Sequence, residues 1–279
     1  MKSRKLFFFV LVSMQLYLNF ANAKVPVAYD YDRQNPMHPC FLLTLISKME
    51  LGENVIFTKY GDGEYQCMIG EQGHNCDYDS YHPWLARELE KALISLCSKP
   101  NTYIGKWWTS EQGGTSAVHE YCNTIASRNG VVVPWAWYHL AFNGDEFLDY
   151  NYMYQFVKFI INTKRKKILV CNHLNSRMTS FFRADVYVEI PTDSWSFEYS
   201  KWKDALEQHL EKDALVLISA GLCSKVLIND ITNKHEISCV DLGSSFDWLA
   251  RRKPSRSQDH IYAQEVEYYK DFFPLGWEK

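Results

Sequence analysis

Short runs of consecutive apolar residues recur along this chain, and the stretches between them carry apolar residues at helical spacing. The strongest run is Ala214-Leu215-Val216-Leu217-Ile218-Ser219. Others are Val55-Ile56-Phe57, Val131-Val132-Val133, Ile168-Leu169-Val170-Cys171 and Ser238-Cys239-Val240. A strand that is apolar at successive positions must be covered on both faces, as the strands of parallel sheets are. Two more strands are expected at 102–105 and 185–190. Helices are expected at 40–49, 64–69, 84–96, 115–126, 145–161, 195–210 and 222–231. The third of these puts Trp84, Leu85, Leu89, Ala92, Leu93 and Leu96 on one face. Alternation of this kind predicts an α/β fold with a mostly parallel sheet and helices on both faces. Ligands of such sheets bind beyond the carboxyl ends of the strands, which is where chemistry is to be sought.

The first residues read as a separate piece. Lys2, Arg4 and Lys5 precede a mostly apolar stretch over 6–20, and Ala21-Asn22-Ala23 offers the small-x-small pattern of a cleavage site. This is the pattern of a signal peptide over 1–23, followed by a polar lead-in over 24–38 and a single α/β domain over 39–279. The chain is then expected in the secretory-pathway lumen or outside the cell, with no membrane span after cleavage. An uncleaved anchor is the competing reading, for which the apolar stretch is short and carries Gln15 and Asn19.

A net charge of −3 with both signs interspersed gives no basic footprint for nucleic acid. Eight cysteines behind a signal peptide permit disulfides, and Cys67–Cys76 is the pair expected, closing a loop beside an acidic turn. No Cys-x-x-Cys occurs, which argues against a structural zinc site. Aromatic residues make up 15% of the chain; Trp107, Trp108 and Trp135 among them offer faces that stack on sugar rings.

Four strand ends carry candidate chemistry. The first is Lys59-Tyr60-Gly61-Asp62-Gly63-Glu64. On a turn opened by glycines, Asp62 and Glu64 could converge on Mn²⁺ or Mg²⁺, which take oxygen ligands from one or two carboxylates plus substrate phosphates. Alternatively Asp62 caps the following helix and Glu64 favours its N-terminus. The second is Ser219-Ala220-Gly221-Leu222-Cys223-Ser224-Lys225, a strand, small-residue turn and helix start that would offer an anion backbone N–H groups plus the Ser224 and Lys225 donors. An ordinary strand-to-helix turn reads the same way. In the third, Asp241 of Asp241-Leu242-Gly243 would meet a hydroxyl, a ribose or the metal, while Asp247 suits a helix cap. In the fourth, His173, Asn175 and Arg177 follow a strand. A loop with His74, Asp77 and Asp79 lies close by in sequence, able to supply a base or simply to be solvated. No Gly-x-Ser-x-Gly elbow and no Gly-x-Gly-x-x-Gly follow the strands, against a serine hydrolase or a dinucleotide enzyme.

Together these stretches resemble the GT-D-type glycosyltransferases, once classed as a domain of unknown function. The likeness rests on Lys59-Tyr60-Gly61-Asp62-Gly63-Glu64, with Lys59 where that family usually has Arg. It continues through Leu217-Ile218-Ser219-Ala220-Gly221 to Asp241-Leu242-Gly243, followed here by Ser244 where some members have His. The resemblance implies a Rossmann-like fold and transfer of a sugar from a nucleotide-diphosphate donor to a glycan or glycoprotein acceptor. Asp62 and Glu64 would hold the metal, Asp62, Glu64 and Asp241 would serve catalysis, and Lys59, Gly61, Gly221, Ser224 and Lys225 would cradle the donor. The base is not carried over. Two alternatives stand beside it: a secreted carbohydrate-binding or interaction module on the same fold, and a metal-dependent hydrolase.

Overall fold

The run 215–219 sits where its composition demands. In the computed structural model, which describes residues 36, 38, 40–74, 79–106, 114–138, 150–193, 195–247, 249 and 269–273, all five of its side chains are buried. Leu215 and Leu217 join the core under one face of the sheet, Val216 and Ile218 the core under the other. Each such side chain contributes about 1.5–3 kcal/mol by leaving water, so a single five-residue strand anchors both layers.

Seven strands are described: β1 (Ile56–Lys59), β2 (Thr102–Lys106), β3 (Trp135–Trp137), β4 (Lys167–Asn172), β5 (Val186–Ile190), β6 (Leu215–Ser219) and β7 (Ser238–Asp241). Their order is β3-β2-β1-β7-β6-β4-β5, and every neighbouring pair is parallel. On one face lie α2 (Asp62–Met68), α3 (Pro83–Cys97), α4 (Gly114–Arg128), α7 (Tyr199–Glu207) and α8 (Cys223–Thr232). On the other lie α1 (Phe41–Glu50), α5 (Tyr150–Asn162) and α6 (Arg177–Phe182). The expected α/β class with a parallel sheet covered on both faces is what forms.

Local differences have physical reasons. The third strand begins at Trp135 and not at Val131, because Val132 is solvent-exposed and Pro134, with no N–H to donate, enters the ladder only through its carbonyl, which accepts from Ile104. Helix α6 was not expected; at six residues it is too short to show a period. Helix α5 is described from Tyr150, so the start expected at 145 lies outside the described residues, as do the stretch 1–23, Trp107, Trp108, Cys76 and Asp77. Cys67, Cys97, Cys122, Cys171, Cys223 and Cys239 are free thiols, which corrects the disulfide expected at Cys67. Cys67 lies inward on α2, buried against the backbone of His82, and burial pushes its thiol up to about 11. Among the described residues no helix is long and apolar enough to cross a membrane.

Candidate active site

Strands β1 and β7 are neighbours whose chains leave in opposite directions. From β1 the chain enters α2 and packs Cys67 and Met68 on one face; from β7 it packs Leu242, Phe246 and Leu249 on the other. Such divergence opens a crevice at the carboxyl ends of the two strands. Lys59, Gly61, Asp62, Glu64 and Asp241 all lie at these two ends. Gly221, Ser224 and Lys225 come to it from the adjoining β6 end.

The acidic turn is not an open turn. Helix α2 begins at Asp62 itself, with Gly61 as its N-cap at φ −117°. Two residues apart on a helix, Asp62 and Glu64 lie about 200° apart around its axis, so they diverge. Asp62 points to solvent and accepts from the neighbouring Gly63 N–H at 3.0 Å. Glu64 turns back: its Oε2 accepts from the Gly61 N–H at 2.8 Å, the half of a capping box that a glycine N-cap allows, and its Oε1 meets Lys225 Nζ at 2.7 Å. Capping therefore falls to Glu64 and not to Asp62.

Asp241 is fully buried and fully engaged. Its Oδ2 receives Lys225 Nζ at 3.0 Å, the Ser224 hydroxyl at 3.0 Å and the Thr58 hydroxyl at 3.3 Å, and its Oδ1 receives the Gly243 N–H at 3.0 Å. Expected to meet a hydroxyl, a ribose or the metal, Asp241 is here placed to anchor the strand ends from within. Ser224 and Lys225 differ from expectation in the same way. They face these carboxylates and the Gly221 carbonyl, with the ammonium 3.1 Å from that oxygen, and do not line an anion cradle. Burial favours the neutral amine of Lys225, but the Asp241 and Glu64 carboxylates outweigh it and hold the ammonium well above its ordinary range. Gly221 has φ +46°, and a Cβ there would stand 1.9 Å from Cζ3 of Trp195, so the indole closes over the turn.

Lys59 is the other buried cation. Its Nζ donates to the Leu242 carbonyl at 3.0 Å and the Ser245 hydroxyl at 3.1 Å, and lies 5.0 Å from the centroid of the Tyr138 ring. Burial depresses its amine to about 8, aided by Lys225 and opposed by Asp241. Further along the edge Asn175 donates to Asp247 Oδ1 at 3.1 Å, while His173 is exposed and Arg177 opens α6. Asp79 is buried, away from the solvated role left open for it. Sequence reasoning missed Thr58 and Ser245; a threonine inside an apolar strand run was the one available signal.

The residues present do not fit a divalent ion held jointly by Asp62 and Glu64. Both Glu64 oxygens are already taken, one by an ammonium, and the two carboxylates diverge. Among the described residues no three His, Cys, Asp or Glu side chains gather as a cation site.

Neither a protein-family model nor a curated protein matches the chain by sequence. By structure it is similar to the domain of unknown function 1792, described as having a distinct glycosyltransferase fold. The TM-score is 0.53 at 16% identity over 83% of this chain and 92% of that one. A selenomethionine-substituted structure of that domain matches with a TM-score of 0.54, also at 16% identity, over 83% of this chain and 92% of the other. The chain has the GT-D fold.

Proposed function

We propose that this chain is a glycosyltransferase of the hexosyl type, moving a sugar from a nucleotide-diphosphate donor to a glycan or glycoprotein acceptor in the secretory-pathway lumen or outside the cell. One observation carries the reading: on a glycosyltransferase fold, the exposed Asp62 stands at the mouth of the β1–β7 crevice with buried cations behind it. When the bond between the sugar and the diphosphate breaks, negative charge develops on a phosphate oxygen, and fixed positive charge stabilises it. Lys59 supplies such charge from the crevice floor. Gly61 fixes the start of the helix that carries Asp62, its N–H held by Glu64. Asp62 accepts a hydroxyl of donor or acceptor. Gly221, Ser224 and Lys225 act behind these groups by fixing Glu64 and Asp241, and no step here passes through a metal.

A thermal-shift screen of nucleotide sugars tests the reading. The matching donor raises the melting temperature, by the equivalent of about 2.7 kcal/mol at a hundred times its Kd. Asp62→Asn should leave the melting temperature of the free protein unchanged and lower transfer by about a hundredfold. No shift with any nucleotide sugar would overturn the assignment. The second reading, a secreted carbohydrate-binding module, is favoured by a different observation: Glu64 and Asp241 are both spent on Lys225. Sugar binding without nucleotide binding would select it.

A further inference from the structure

We infer that Lys225 takes, in this chain, the place that a divalent cation would take at an Asp-x-Glu turn, so that the site binds a nucleoside diphosphate without metal. The inference deepens the donor assignment above and rests on it only for the nucleotide; the seating of the ammonium stands by itself. Lys225 Nζ lies 2.7 Å from Glu64 Oε1, 3.0 Å from Asp241 Oδ2 and 3.1 Å from the Gly221 carbonyl. These are three oxygens from three strand ends, arranged around one cation. The side chains of Lys225 and Glu64 keep only 5% and 11% of their surface, and that of Asp241 keeps none.

The position is already held by a cation. Glu64 and Asp241 face the Lys225 ammonium directly, with Lys59 and the buried Asp247 beside them. A dication added at Glu64 would stand against that ammonium. To bind at its usual 2.0–2.1 Å from oxygen, a Mg²⁺-sized ion would first have to expel that ammonium. The surroundings of the ammonium oppose this. Lys225 is rooted in the first turn of α8, and that turn is held by the left-handed Gly221 under the Trp195 ring. Asp241 is kept in place by Thr58, Ser224 and the Gly243 N–H.

The test uses the full chain and two titrations. Mn²⁺ alone is titrated while the free-ion signal is followed by electron paramagnetic resonance. The wild type should show no saturable site, and Lys225→Met, which leaves Glu64 and Asp241 facing an empty position, should gain one about a hundredfold tighter than any wild-type binding. A panel of nucleoside diphosphates is then titrated calorimetrically into the wild type with chelator and with Mn²⁺; the affinities should agree within about threefold. Should Lys225→Met fail to fold, the wild-type measurements decide alone. A saturable wild-type Mn²⁺ site removed by Glu64→Gln or Asp62→Asn overturns the inference, as does a loss of nucleotide affinity of about tenfold or more on chelation. Absence of nucleotide binding under both conditions sinks the donor assignment instead, and the Mn²⁺ titration then judges Lys225.

Discussion

Lys59 and Lys225 lie in one crevice and respond to it oppositely. Lys225 has two carboxylates on its ammonium; Lys59 has a carbonyl, a hydroxyl and an aromatic ring. The folded protein therefore releases the Lys59 proton at about 8, below its ordinary 10.5, while the unfolded chain still holds it. Between those values the unfolded state binds more protons, so this group makes stability rise with pH. Urea unfolding of the wild type and Lys59→Met, from about pH 7 to about pH 10, should show the difference moving in favour of the wild type. A constant difference would remove Lys59 from its low-polarity setting. Lys225 acts in the other sense: its raised value gives stability present below the ordinary lysine range and lost only above it. The sequence marks both lysines in advance, Lys59 by the family resemblance and Lys225 as a donor at a helix start. It could not show that Lys225 faces inward, because the groups that engage and enclose it come from Glu64, Trp195 and Asp241, far away in the chain.

At the scale of elements, two joints decide whether the sheet edge keeps its shape. At the carboxyl edge, Gly221→Ala would place a methyl group in the Trp195 ring at a positive φ, and should destabilise by about 3 kcal/mol in denaturant unfolding. At the amino edge, Arg165 donates to the carbonyls of Met49, Glu53 and Asp213, to Asn54 Oδ1 and to the Ser238 hydroxyl, joining α1 to the starts of β1, β6 and β7. Arg165→Ala should destabilise by about 3 kcal/mol, and Arg165→Lys should restore part of that, because a single ammonium does not span the fork. Nothing in the run Lys164-Arg165-Lys166-Lys167 singles out Arg165 for this role. Strand positions were more legible, since an apolar run such as 215–219 has nowhere to go but a buried strand. The strand at 135–137 was less so, since the valines that announce it precede the ladder and Pro134 delays it.

For the molecule as a whole, local pattern gave the layers but not the strand order. Apolar runs state that a strand is buried; they carry no label for its neighbour. The order that forms sets β7 between β1 and β6, and Thr58 bonds Asp241 across 183 residues of chain. The candidate site is built on that pairing. Consequently β1, β2 and β3, all made early in synthesis, have no link to the rest of the sheet until the last strand arrives to bridge them. Contacts of such long separation close late and slowly. Until then the acidic turn has no lysine, the lysine has no carboxylates, and the edges of β1 and β6 stand open to other chains. The candidate site thus forms last: a chain that has not finished folding has no site at all.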